Sequence, residues 1–187
     1  MKLPLAAGVG LIFCLSELVI AVTKRSGGGA VSKDQNSLRV LLRVIFLSIF
    51  LGIWVSRTAR WGWLPHRHAF ERVGVALFVL GTALRWWSIL LLGKFFTVDV
   101  AIAPDHRLVE SGPYRYLRHP SYSGALLAFV GMGLTMGNVL SLLIMLVPIV
   151  PAFLWRIRIE ESALQGTFGV AYRDYSARTK RLIPGVY

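Results

Sequence analysis

Long apolar runs separated by short basic clusters constrain this chain more than any other feature. Leu3–Val22 is a run of about 20 mostly apolar residues, the length that crosses about 30 Å of hydrocarbon. Glu17 sits late in that run and no small-x-small pattern closes it, so it reads as a membrane helix rather than a cleaved leader. Similar runs follow at Leu38–Ser56, Ala69–Leu92, Tyr122–Met136 (short) and Val139–Trp155. The pattern predicts an all-α integral membrane protein with about five transmembrane helices. Composition agrees: 16% of residues are charged and 55% hydrophobic, whereas soluble domains carry about 25% charged residues.

Within these runs the spacing is informative. Gly74, Gly81, Arg85 and Ser88 fall on one face of the third predicted helix at about 100° per residue, so Arg85 is expected to face protein or water rather than lipid. Gly124, Ala128, Gly131 and Thr135 form a small-residue stripe on the fourth, as close helix packing in membranes requires. Gly137-Asn138 predicts a tight turn. Pro148 and Pro151 predict a kink in the fifth helix, which is expected to run on past the membrane to Glu161. The segments 23–37, 57–68 and 93–121 read as loops, and the tail from Ser162 as polar and basic. The 187 residues suit one domain, with 1–68 holding two spans and 69–187 the functional core.

The net charge of +12 reflects placement rather than nucleic-acid binding, because the aromatic residues lie mainly in apolar runs instead of a polar groove. Fourteen Lys and Arg residues fall on the side of the first loop, the third loop and the tail, and five on the other. The third loop and the C-terminus are therefore expected in the cytoplasm, of a bacterial-type membrane if the source is prokaryotic. The single cysteine, Cys14, excludes an internal disulfide and any cysteine-rich zinc site. His66, His68 and His106 are too scattered for a metal site. Gly131-Met132-Gly133 lacks the preceding strand that a dinucleotide fingerprint needs.

Two cytoplasmic segments combine titratable groups with unusual punctuation: His106–Tyr122 and Arg156–Glu161. A continuous helix places Arg156 and Glu160 on one face at i and i+4. Pro120 suits a helix start, whose amides would favour an anionic ligand. Each feature also has a plain reading. The arginines could sit at lipid head groups, Glu160 and Glu161 could be a solvated helix end, and Arg156–Glu160 an exposed pair of little energetic worth.

At these segments the sequence resembles the isoprenylcysteine carboxyl methyltransferase family in its short prokaryotic form, itself similar to phospholipid N-methyltransferases. The shared residues are Gly112-Pro113-Tyr114, Arg118-His119-Pro120, Tyr122 and Gly124, then Glu160-Glu161, Leu164, Phe168-Gly169, Tyr172, Tyr175 and Pro184. The resemblance implies S-adenosylmethionine as cofactor, contacted by Asp99, His106, Arg107, Leu108, Val109, Tyr114, His119, Pro120, Ser121, Tyr122 and Glu160. It assigns Arg156 to the substrate side, as the residue acting on the acceptor. It also implies a lipophilic or lipid-modified acceptor met in the bilayer.

The chemistry suits these residue types. Methyl transfer from a sulfonium needs approach geometry and exclusion of water, with no metal. An acceptor carboxylate is ionised at neutral pH, and Arg156 could hold it bidentately. An amine or thiol must lose a proton, with His119 or Glu161 as first candidates. The residues alone reach a five-span membrane protein with a cytoplasmic polar site; the resemblance implies a methyltransferase that O-methylates an isoprenylcysteine-like carboxylate, with phospholipid N-methylation, an NADPH-dependent sterol-type reductase and a non-enzymatic scaffold as the alternatives.

Overall fold

The computed structural model describes residues 5–23, 31–34, 36–96, 100–102 and 107–187. Asp99 and His106 fall outside these. The described chain is a helical bundle: α1 (Leu5–Thr23), α2 (Asn36–Thr58), α3 (Arg67–Leu92), α4 (Pro120–Thr135), α5 (Val139–Phe168) and α6 (Val170–Arg178). A small antiparallel ladder pairs β1 (Val31–Asp34) with β2 (Val100–Ile102), where the sequence had indicated only loops.

Four helices, α1, α2, α3 and α5, are long and apolar enough to cross a membrane. The expected fifth, α4, has 16 residues and a rise of about 24 Å, short of a full hydrocarbon core. Ten of those residues are buried, so α4 is shielded mainly by protein. α5 is the opposite case. Its 30 residues extend about 45 Å, beyond the predicted Glu161 to Phe168, and Pro148 and Pro151 lie within it without ending it.

The helices pack as two close pairs, α3 with α4 and α2 with α5, and α4 also contacts α5. The α3–α4 contact rests on glycine. A Cβ at Gly81 would lie 2.5 Å from the Ala128 amide nitrogen and 2.6 Å from the Gly124 oxygen. One at Gly124 would lie 2.6 Å from both the Arg85 nitrogen and the Gly81 oxygen, and Gly74 faces Gly131 in the same way. Both stripes read from the sequence thus meet each other, and Arg85 and Ser88 on the same α3 face are buried. Phe129, Met132, Met145, Ile149 and Phe153 fill the core behind this seam.

One end of the bundle is closed by the predicted turn. Gly137 has a φ of 66°, and Asn138 caps α5 by accepting from the Ser141 amide at 3.2 Å. The Asn138 amide also donates to the Trp61 carbonyl at 2.9 Å, tying the 57–66 connection to the α4–α5 turn. At the other end the tail read as polar and basic forms α6. Tyr172 and Tyr175 are buried on one face of it.

Adding a methyl group at the seam should separate α3 from α4. Gly81→Ala is expected to lower stability by about 2 kcal/mol or to prevent folding. Gly10→Ala, with nothing within 4 Å of the added carbon, should be neutral. Thermal unfolding of both variants in detergent checks this.

Candidate active site

The α3–α4 seam delivers the start of α4 to the far end of α5. Pro120 occupies the first helical turn, where its missing amide hydrogen costs nothing. The start of α4, expected to present exposed amides, is buried instead. Pro120 and Ser121 are buried, and the Tyr122 and Ser123 amides bond back to the His119 carbonyl. The tail covers the turn from outside. The Arg118 amide donates to the Lys180 carbonyl at 2.7 Å and the His119 amide to Arg181 at 3.1 Å.

Glu161 anchors this arrangement. One oxygen accepts from Arg118 Nε at 2.9 Å, the other from Arg181 Nε at 2.9 Å. Arg118 also donates to the carbonyls of Ser176 at 2.8 Å and Thr179 at 2.6 Å. Glu161 therefore joins α5, the 116–119 turn and the tail. Both its oxygens are engaged by guanidinium groups, which removes it as the general base considered from sequence. Tyr172 packs nearby, and burial, then the Glu161 charge, push its phenol far above the usual range, so it stays neutral.

Glu160 is placed differently. Its Oε2 is buried and has no hydrogen-bond partner among the described residues, and the same holds for His119 Nε2. His119 Nδ1 lies 3.9 Å from that Glu160 oxygen. Its Nε2 lies 3.4 Å from Glu161 without hydrogen-bond alignment. The His119 ring stacks on Tyr122 at 5.7 Å with an interplanar angle of 13°. Buried polar atoms are usually satisfied, so two orphans on neighbouring residues make this a candidate site.

Tyr122 also faces a second compartment. A cavity of about 370 Å³ lies among α1 to α5, with Phe13, Leu41, Ile45 and Phe153 among its apolar walls. Its polar lining residues are Tyr122, Arg156, Glu17 and Arg85. Arg156 is 3% exposed, which excludes the reading as a surface pair or head-group arginine. Its Nε donates to the Tyr122 hydroxyl at 3.0 Å and its Nη1 to the Ser37 hydroxyl at 2.8 Å.

Of the other residues singled out from sequence, Arg107 is exposed and Leu108 and Val109 are half-buried. Tyr114 is 5% exposed, and burial, then the Glu160 carboxylate, push its phenol far above the usual range. His119, Tyr122, Glu160 and Arg156 come together. Sequence reasoning missed the roles of Arg118, Arg181 and Ser37. It also missed Glu17, whose carboxylate grips Arg85 through two bonds of 2.7 Å. A charge of each sign inside two separate apolar runs was the available signal.

Comparison with known proteins gives this geometry a context. The model of the isoprenylcysteine carboxyl methyltransferase (ICMT) family matches residues 74–166. Protein-S-isoprenylcysteine O-methyltransferase B of Arabidopsis thaliana is 36% identical over 180 residues, covering 94% of this chain and 89% of that protein. The chain belongs to the isoprenylcysteine carboxyl methyltransferase family. The Schizosaccharomyces pombe protein-S-isoprenylcysteine O-methyltransferase is 32% identical over 182 residues, spanning 96% of this chain and 66% of that protein. A solved structure of the eukaryotic intramembrane Ras methyltransferase ICMT superposes with a TM-score of 0.62 at 24% identity, over 97% of this chain and 65% of that one.

As a member of this family the chain is a membrane-embedded methyltransferase. The matched span runs from Gly74 in α3 to Gly166 in α5, and so includes the glycine seam, His119, Tyr122, Arg156 and both glutamates. It leaves out α1 and α2, which supply Phe13, Glu17, Leu41 and Ile45 to the cavity.

The Glu161 clamp should be a stability element. Glu161→Ala leaves Arg118 and Arg181 without their shared carboxylate and should cost about 2 kcal/mol. Denaturant unfolding, with limited proteolysis of residues 179–187, should show a looser tail in that variant.

Proposed function

We propose that this protein transfers a methyl group from S-adenosylmethionine to the carboxylate of a prenylated cysteine. The cofactor would be held by Arg107, Leu108, Val109, His119, Tyr122 and Glu160, with Tyr114, Pro120 and Ser121 backing them. The observation that carries the reading is the position of Tyr122. It stacks on His119 beside two unsatisfied buried polar atoms, and its hydroxyl accepts from Arg156, with which it lines a largely apolar cavity. One residue thus borders a place for a polar, charged ligand and a place for a lipophilic one.

The unsatisfied atoms support the fit. A buried carboxylate oxygen and an imidazole nitrogen suit the hydroxyl, amino and ammonium groups of S-adenosylmethionine. When bound, the cofactor supplies a sulfonium methyl group, an electrophile that an ionised carboxylate attacks without a base. Glu160 and the aromatic face of Tyr122 stabilise positive charge nearby. Arg156 orients the acceptor carboxylate, and the walls at Phe13, Leu41, Ile45 and Phe153 keep water from it. The excess of Lys and Arg at the end that carries the site supports a cytoplasmic site. Asp99 and His106, implied by the family resemblance, belong to the same proposal and lie outside the described residues.

Calorimetry on detergent-purified protein tests the cofactor site. Glu160→Ala should weaken S-adenosylmethionine binding at least about tenfold, and full affinity in that variant would remove Glu160 from the site. Arg156→Gln should keep donor affinity while kcat/KM for an N-acetyl-S-prenylcysteine falls about a hundredfold. A carboxylate acceptor also predicts a rate that stays flat between about pH 7.5 and 9, where an amine acceptor would make it rise.

A further inference from the structure

The end of the bundle opposite the candidate active site carries a cavity of its own. It holds about 350 Å³ beside the α4–α5 turn, with Arg57, Trp63, Arg67 and Glu71 among its walls. Glu71 is already engaged: Arg67 Nε donates to one oxygen at 2.7 Å, and His68 Nδ1 lies 3.1 Å from the other. The Arg67 guanidinium also sits over the Trp63 ring, 5.6 Å from its centroid. Arg57, in the last turn of α2, is exposed and has no ion-pair partner among the described residues. Two guanidinium groups against one carboxylate leave this lining positively charged. A second cavity, of about 680 Å³ and almost wholly apolar, continues from the first between α1 and α3. Arg67, Glu71, Val75, Val79 and Ala83 recur every four residues on one face of α3, the first two in the polar cavity and the others in the apolar one. Leu5 of α1 borders both.

We propose that these two cavities form a site for one anionic phospholipid of the leaflet at that end, with its phosphate at Arg57 and Arg67 and an acyl chain in the α1–α3 groove. Guanidinium groups suit phosphate oxygens in charge and in geometry. Trp61 and Trp63, both exposed beside the polar cavity, suit the depth of lipid head groups. The groove has the matching length. Its α3 wall, from Val75 to Trp86, rises about 16 Å, close to half of a hydrocarbon core of about 30 Å and so to one leaflet. Trp86, at the far end of that wall, is fixed by the bond from its Nε1 to Ser16 Oγ at 2.7 Å. The lipid would bind across α1, α2 and α3. It would thereby hold α1, whose Phe13 and Glu17 line the acceptor cavity nearer the other end. No step of methyl transfer passes through this site.

The test adds phosphatidylglycerol, phosphatidylcholine or inorganic phosphate to detergent-purified protein. Native mass spectrometry counts the lipid retained, and thermal unfolding reads the stabilisation. Wild type should retain one phosphatidylglycerol per chain, with a midpoint raised by at least about 3 °C. Phosphatidylcholine at the same concentration should raise it by less than half as much. Arg57→Gln should lose the preference for phosphatidylglycerol, and Arg57→Lys should keep it. Val79→Trp, which fills the groove from its exposed side, should reduce retention of both lipids. Unfolding without added lipid is the folding control for each variant. Equal stabilisation of wild type by the two lipids overturns the proposal, as does an unchanged preference in Arg57→Gln. Stabilisation by inorganic phosphate equal to that by phosphatidylglycerol also overturns it, since the groove would then play no part. Each of these results leaves the methyltransferase reading intact.

Discussion

The backbone contact between α3 and α4 is the constraint on which the rest of the structure depends. Helices usually pack 8–10 Å apart because side chains keep them there. Here Gly74 and Gly81 face Gly131 and Gly124 so closely that a single added carbon on any of them would collide with backbone. Lipid offers no hydrophobic drive for helix pairing, so dispersion across a seam of bare backbone supplies much of the attraction. The seam also fixes register. It sets Gly124 against the Arg85 amide, one turn after the His119–Tyr122 segment, and so determines where that segment meets α5.

Charge placement follows from that register. A lone arginine in a low-dielectric interior is costly, and a well-formed buried pair roughly breaks even against apolar packing. Removing one partner from the Glu17–Arg85 or Glu161–Arg118–Arg181 group is therefore costly, while the intact groups explain position better than net stability. Each joins elements that lie far apart in sequence. Glu17 and Arg85 connect α1 to α3. Glu161 connects α5 to the turn before α4 and to the tail. The two adjacent glutamates of α5 consequently do different work. Glu161 is saturated by guanidinium groups, while Glu160 keeps a buried oxygen unsatisfied beside His119. One residue of helical advance, about 100°, separates an anchor from a group with an unsatisfied buried oxygen.

Much of this was legible in the sequence, for identifiable reasons. Apolar length gave four of the spans, and the 3.6-residue period gave both small-residue stripes, including the burial of Arg85 and Ser88. The turn at Gly137-Asn138 followed from turn chemistry, whereas the cap that Asn138 supplies emerged only in the structure. Pairings over long sequence separations were not legible. Glu161 meets Arg118 from 43 residues away and Glu17 meets Arg85 from 68. Residue type states that a partner is needed, not which one it is. The tail, read as polar and basic, hid its helix for a related reason: the nine-residue α6 exposes Arg173, Asp174 and Arg178, and only the buried Tyr172 and Tyr175 report its inner face. Glu161 looked like a base because its neighbours in sequence said nothing of the two arginines that fold onto it.

The unequal lengths of α4 and α5 complete the physical account. A reaction that joins a water-soluble donor to a membrane-bound acceptor needs a point where polar and apolar compartments share a wall. Two helices of equal span would place both ends at the same depth and leave no such wall. Here α4 rises about 24 Å and α5 about 45 Å, and they start from the same capped turn at Gly137-Asn138. The beginning of α4 is therefore overtopped by the end of α5. Tyr122 and Arg156 meet where apolar walls persist, while Glu160, one turn beyond Arg156, lies with His119 under the cover of the tail. The shortness of α4, which removes it from the helices able to span a membrane by length, places Tyr122 between His119 and the largely apolar cavity.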